Sequence, residues 1–218
     1  RKRFTGQPEH VINYFFFVAE EVREIMAELG YRSFDDMVGQ MQMLDRRKLI
    51  EHWKAKGLDF SKLFTKPQAA KGTAIYKCEP QDHKIKDILD RRLIAQSQDA
   101  LDGGRNVRIK TTIQNTDRTA GAMLSGEIAK RYGHDGLPDG SIHVAFTGTA
   151  GQSFGAWLAH GVTFELEGDA NDYVGKGLSG GRLIIKPAAD SAVVPEESII
   201  VGNTVPYGAI AGECHFPG

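Results

Sequence analysis

The chain has 218 residues, with 27 Lys+Arg against 28 Asp+Glu and a formal net charge of −1. That balance excludes a protein built to grip nucleic-acid phosphates or an anionic membrane. At 41% hydrophobic and 25% charged, the composition is that of a globular chain able to bury a core. Glycine is the outlier at 25 residues, seven in residues 1–109 and eighteen in 110–218. Net charge divides along the same line, +4 in the first half and −5 in the second. Two differently built halves follow. The two cysteines, Cys78 and Cys214, form no CxxC pair, which excludes a cysteine-rich disulfide scaffold, a four-cysteine zinc site and an iron–sulfur cluster held by this chain alone. They read as reduced thiols rather than one long-range disulfide. No apolar run approaches the roughly 18 residues of a membrane span. The opening Arg1-Lys2-Arg3, without an initiator Met, reads as a piece cut from something longer.

Pro8 and Gly30 bracket the first helical pattern, since proline is tolerated in a first turn and glycine stops a helix. Between them Val11, Phe15, Val18, Val22, Ile25 and Leu29 recur at three- and four-residue steps. Phe15-Phe16-Phe17 widens the apolar stripe beyond one face, as suits a helix wedged between two bodies. Ser33 followed by Asp36 marks a short helix through Met37, Val38 and Met41. Another helix is expected near Asp45 to Trp53. Residues 58–82, with Pro67, Gly72 and Pro80, read as an extended linker, and Ile85, Ile88, Leu89 and Leu93 mark a further helix ending at Gly103-Gly104.

From Val107 the period falls to two: Val107, Ile109, Thr111 and Ile113 alternate with polar residues, as a strand requires. A helix over Thr119–Tyr132 follows, then alternating runs at Ile142-Val144-Phe146, Val162-Phe164-Leu166 and Leu183-Ile185. Between them lies a repeat. Gly148 leads to Gly155 and Gly161; Gly168 leads to Gly175 and Gly181; Gly202 leads to Gly208 and Gly212. The units start 20 and then 34 residues apart, the excess being a polar insertion around Ala188–Glu197. Glycine recurs where backbones turn sharply and approach one another. The pattern predicts a mainly β protein: a right-handed parallel β-helix preceded by a helical and irregular segment and truncated at its C-terminal end. Its expected divisions are residues 1–57, 58–105 and 106–218.

Three short motifs carry chemistry elsewhere. Gly151-Gln152-Ser153-Phe154-Gly155 matches GxSxG, with Asp169 and His215 following in hydrolase order. A nucleophile elbow needs a helix behind the serine, and too few residues intervene before Gly161. Gly175-Lys176-Gly177-Leu178-Ser179-Gly180 matches GxGxxG, but a strand pattern follows where a dinucleotide site needs a helix. Asp169, Asn171 and Asp172 lack further calcium ligands, and the seven histidines lack paired-ligand spacing. No catalytic, cofactor-binding or metal residue is expected, and the repeat glycines named above are the structural positions.

Longer stretches resemble a known family. Arg1 to Phe15 continuing to Ala19–Arg23 is similar to the segment after the flavin-binding barrel in the large chain of glutamate synthases. Asn115–Ala122, Gly148–Gly155, Gly168–Gly177 and Gly202–Ala209 resemble the glycine-repeat C-terminal domain of the same enzymes. The resemblance implies an enzyme making two glutamates from glutamine and 2-oxoglutarate with FMN and an iron–sulfur cluster. Electrons would come from a nicotinamide–flavin small subunit or from ferredoxin. The family's nucleophilic cysteine, cluster cysteines and flavin barrel have no counterparts here, and its repeats continue beyond the equivalent of Gly218. The expectation is a noncatalytic scaffold that binds no cofactor itself. Its partners would be the flavin barrel and the glutamine amidotransferase region, with no nucleic acid and no membrane, in the cytoplasm or, in a plant or alga, the plastid. The alternatives are a glycine-repeat subunit like that of formylmethanofuran dehydrogenase and a free-standing ligand-binding module.

Overall fold

The computed structural model describes residues 6–44, 52–194 and 197–217. The chain divides into two compact units, 1–82 and 83–218. In the first, α1 runs Pro8–Glu28 with proline in its opening turn, as the spacing predicts. Met26 is its one buried residue, while Phe15, Phe16 and Phe17 stand exposed. A short α2, Phe34–Met37, is capped by Ser33, whose hydroxyl accepts from Asp36 N–H at 3.2 Å. A 3-10 turn follows at Met41–Met43. The helix expected near Asp45–Trp53 falls largely outside the described residues. Residues 54–82 make turns without helix or strand.

The second unit carries the core. Helices α3 (Leu89–Gln96) and α4 (Gln98–Leu101) precede β1 (Val107–Ile113). Then come α5 (Ala122–Tyr132), β2 (Ile142–Ala150), β3 (Val162–Ala170), β4 (Ser179–Lys186) and β5 (Ala211–His215). All five strands pair in parallel in chain order, β1-β2-β3-β4-β5.

This architecture corrects the expected class. Among the described residues the chain is an α/β fold, about 26% helix and 20% strand, with a single five-stranded parallel sheet, and not a mainly β, right-handed parallel β-helix. The reason lies between the strands. Residues 151–161 and 171–178 run as successive tight turns rather than further strands. The β1–β2 connection holds α5, which packs on α3. Glycine periodicity signalled repeated turns correctly but carried no information on whether the other sides were sheet or helix.

Register explains the core. Ile109, Val144, Phe164 and Leu183 stand side by side across four strands, and Phe146, Leu166 and Ile185 form the next row. Phe154, Leu158, Val174 and Leu178 close the core from the turns, and Leu93, Leu101, Leu124 and Ile128 close it from the helices. Phe146, Phe154 and Phe164 meet with ring centroids 4.9–5.5 Å apart. Buried rings of this size dominate the apolar area removed from water. One buried polar atom, Ser97 Oγ, has no partner among the described residues.

Gly148 and Gly168 pair in register, at φ 129 and 147. A Cβ on Gly168 would lie 1.9 Å from Gly148 O, and one on Gly148 would lie 2.3 Å from Ile113 O. Gly140, by contrast, is left-handed at φ 73 with open space around it. Gly168→Ala is therefore expected to lower unfolding free energy by at least about 3 kcal/mol and Gly140→Ala by about 1 kcal/mol. Urea denaturation of both variants checks this, and equal losses would contradict it.

Candidate functional site: the left-handed corner

The turns that follow the strands share one backbone device. Ser153, Gly155 and Trp157 are left-handed at φ 65, 66 and 55, and Tyr173, Gly175 and Gly177 repeat this at 62, 65 and 63. Their N–H groups point alternately to the two neighbouring units. Ser153 N–H donates to Asp172 O (2.8 Å) and Trp157 N–H to Lys176 O (2.8 Å), while Gly155 N–H turns back to Ala120 O (2.9 Å). Tyr173 N–H to Asn203 O, Gly177 N–H to Tyr207 O and Gly175 N–H back to Phe154 O repeat the pattern.

These bonds extend the repeat in both directions. Thr119 (φ 59) and Gly121 (φ 96) form an earlier partial unit, with Thr119 N–H donating to Gln152 O. In the last unit the left-handed residues are Thr204 and Gly208, at φ 63 and 68. The third unit is offset by 31 residues, since Ala170 pairs with Val201 and Leu183 with Cys214, rather than the 34 read from glycine spacing. Gly208 consequently stands beside Gly177, while Pro206 lies against Gly175, where a Cβ would be 3.3 Å from Pro206 Cβ. Gly202 sits against Asn171 and Asp172 rather than in line with Gly168. At the strand entrances Gly161, Gly180 and Gly212 are left-handed (φ 88, 120 and 115), whereas Gly181 is not. The middle glycine faces the core: a Cβ on Gly155 would strike Leu183 Cδ2 at 2.4 Å.

The short motifs resolve into structure. Ser153, Asp169 and His215 are engaged separately: Ser153 in the corner, Asp169 accepting from Thr149 Oγ1 (2.6 Å), His215 Nε2 facing Glu213 (3.6 Å). Gly175–Gly180 runs into β4, not a helix. Asp172 Oδ1 accepts from Asn203 N–H (2.7 Å), Asn171 Oδ1 from Asp172 N–H (2.8 Å), and Asn171 Nδ2 donates to Asn115 Oδ1 (3.0 Å). No group of three metal-ligating side chains occurs among the described residues. Cys78 and Cys214 are both free thiols, and burial pushes the Cys214 thiol up.

On the outward side of the sheet a charged row crosses four strands. Arg108 Nη1 lies 3.1 Å from His143 Nδ1, and His143 Nε2 lies 3.3 Å from Glu165. A guanidinium only donates, so Nδ1 is the acceptor and Nε2 carries the proton toward Glu165. Lys186 Nζ reaches the same carboxylate at 2.8 Å, and that bond holds Glu165 below the usual carboxylate range.

Asp90 is the residue that sequence reasoning missed. It is 3% exposed, on α3, and its carboxylate accepts from Gly121 N–H (2.7 Å), Met123 N–H (2.7 Å) and Leu124 N–H (3.3 Å). Gly121, the N-cap of α5, has no side chain, so Asp90 supplies the cap from another helix. Burial pushes its carboxyl above the ordinary range, against the opposite pull of the three N–H bonds.

The family model described as "GXGXG motif" matches residues 90–218, beginning at that capping aspartate. The chain belongs to the GXGXG family. Relatives extend the likeness over the whole chain. It is 51% identical over 219 residues to the glutamate synthase [NADH] of Schizosaccharomyces pombe, covering 100% of this chain and 10% of the relative. It is 46% identical to the glutamate synthase [NADPH] large chain of Bacillus subtilis, and 41% to the ferredoxin-dependent glutamate synthase 2 of Synechocystis. Those two alignments cover 100% of this chain and 14% of each relative. This GXGXG domain, of the glutamate synthase type, thus spans a small fraction of the relatives it matches. No described helix is long and apolar enough to cross a membrane.

Asp90→Ala strips the α5 cap and leaves buried N–H groups unmet, with an expected loss of about 2–4 kcal/mol; Asp90→Asn, which keeps one carbonyl, loses less. Because the folded carboxyl sits above its unfolded value, its stabilising contribution is full below the ordinary carboxylate range. It is lost as pH rises through the raised value. The urea midpoint of the native chain minus that of Asp90→Asn should fall as pH rises through this range, since lowered carboxylates such as Glu165 and Glu213 contribute alike to both. An unchanged difference would contradict the assignment.

Proposed function

We propose that this GXGXG domain is the noncatalytic scaffold of a glutamate synthase large chain, which makes two glutamates from glutamine and 2-oxoglutarate. The observation that carries it is that Ser153, Asn171 and Asp172 serve in turns that join neighbouring units, while Asp169 is held across paired strands by Thr149. An ordered stack of this kind fixes distances, and fixed distances matter to an enzyme that passes ammonia between two sites. The exposed Phe15, Phe16 and Phe17 of α1 support docking on another part of the same large chain.

The flavin and iron–sulfur groups expected of the parent do not fit this chain. A cluster requires three or four thiolates, and only Cys78 and Cys214 are present, in different compact units. The glycine-rich GxGxxG stretch leads into a strand instead of the helix N-terminus that would face a phosphate. The domain's contribution is positional, and the electron donor, with any nicotinamide–flavin subunit, acts elsewhere in the assembly.

In the full-length enzyme, Ser153→Ala and His215→Ala should leave turnover within about twofold of the parent. Phe16→Glu with Phe17→Glu should raise the glutamine hydrolysed per glutamate formed by at least about threefold, as ammonia escapes between poorly aligned sites. Measuring both products in one assay checks the stoichiometry. A collapse of turnover in Ser153→Ala or His215→Ala with unchanged stoichiometry would overturn the scaffold reading.

A further inference from the structure

Trp157 occupies a position where the next two units keep glycine. Its backbone is left-handed (φ 55), as are Gly177 (φ 63) beside it and Gly208 (φ 68) beside Gly177. A bulky residue in this conformation carries strain of about 1–2 kcal/mol. Burial does not offset it fully, because Trp157 remains 49% exposed. Neighbours make way for the ring: a Cβ on Gly177 would lie 2.6 Å from Trp157 Cδ1. Lys176 Nζ lies 5.9 Å from the Trp157 ring centroid and 5.3 Å from that of Tyr173.

Trp157 borders a cavity of about 540 Å³ that Ala122, Gly126 and Ala129 of α5 also line. Ile210, 59% exposed, borders the same space. No carboxylate lines this groove, and His134 and His160 are its titratable residues. Asp139 reaches His160 Nε2 at 3.4 Å, while Lys176 holds no ion pair among the described residues. The groove is lined mainly by small and apolar residues, with Ser125, His134, His160 and Ser179 as its polar ones, and the Lys176 ammonium lies over the Trp157 ring that borders it. Half-exposed aromatic and aliphatic side chains around a concavity are the usual anchors of a protein–protein contact.

We propose that this groove seats an apolar peptide segment from the remainder of the parent large chain. One aliphatic side chain enters between Trp157 and α5, and an adjacent carboxylate meets Lys176 Nζ. This rests on the scaffold reading, and the relatives' lengths, of which this chain covers 10–14%, leave ample polypeptide to supply the segment. Charge complementarity selects an acidic-edged segment over a basic one.

Trp157→Gly separates a docking role from a folding role, because glycine is what the repeat itself uses here. The melting temperature of the 218-residue chain should hold or rise in this variant; a fall of several degrees would make Trp157 a fold residue and sink the proposal. In the full-length enzyme, a benzophenone amino acid at position 210 should crosslink to a segment outside these 218 residues that carries Asp or Glu within a few positions. The crosslink yield should drop at least about fivefold in Trp157→Gly and in Lys176→Glu and be retained in Lys176→Arg. Crosslinks confined to these residues, to a second copy of the chain, or indifferent to both variants would overturn it. If the crosslink forms as expected while the Phe16/Phe17 stoichiometry does not change, the scaffold reading fails and the groove stands.

Discussion

Ser153, Gly155 and Trp157 send three N–H groups out of a single turn, the outer two to one neighbouring unit and the middle one to the other. Alternate left-handed residues make this division possible, because each reverses the direction in which the next amide points. The same arrangement at Tyr173, Gly175 and Gly177 ties the following unit in the same way. Each bond contributes on the order of 1 kcal/mol net. Their larger effect is to fix register, which decides whether Phe164 meets Val144 and Leu183 or slips to the opposite face.

The core and the helices depend on that register. Gly155 must lack a side chain because Leu183 fills the space beneath it, and Gly148 and Gly168 must lack one because the backbones touch there. At the other side of the core, Asp90 joins α3 to the start of α5 through three buried bonds, so the helical layer is held by a carboxylate rather than by a local cap. A buried acid is expensive to desolvate. It is retained here where a glycine N-cap leaves the helix end open.

Much of this was legible in the residues. The apolar steps from Val11 to Leu29, the two-residue alternation of four strands and the corners at Gly155 and Gly175 correspond to observed elements. Three things were not. The helices at Leu89–Gln96 and Ala122–Tyr132 are legible, but the fold class is not, because glycine spacing marks the turns at 151–161 and 171–178 and is silent on what they connect. The third unit lies 31 residues on and not 34, because Pro206 stands at the position of the middle glycine and Gly208, two residues later, matches the glycine pattern instead. Asp90 left no signal within its own helix; its partner is the bare glycine at position 121, 31 residues away. A reader comparing Thr119-Ala120-Gly121 with Ser153-Phe154-Gly155 and Tyr173-Val174-Gly175 could have found the earlier unit.

The central claim is that corner and sheet form one cooperative structure. Native-state amide hydrogen exchange tests it most directly, by comparing Ser153, Gly155, Tyr173 and Gly175 N–H with Val144 and Phe164 N–H. The account predicts that all six exchange only through global unfolding, with a common free energy and a common denaturant dependence. Corner amides exchanging about a thousandfold faster than the strands, through local opening, would contradict it and make the left-handed turns passengers on a sheet that holds itself.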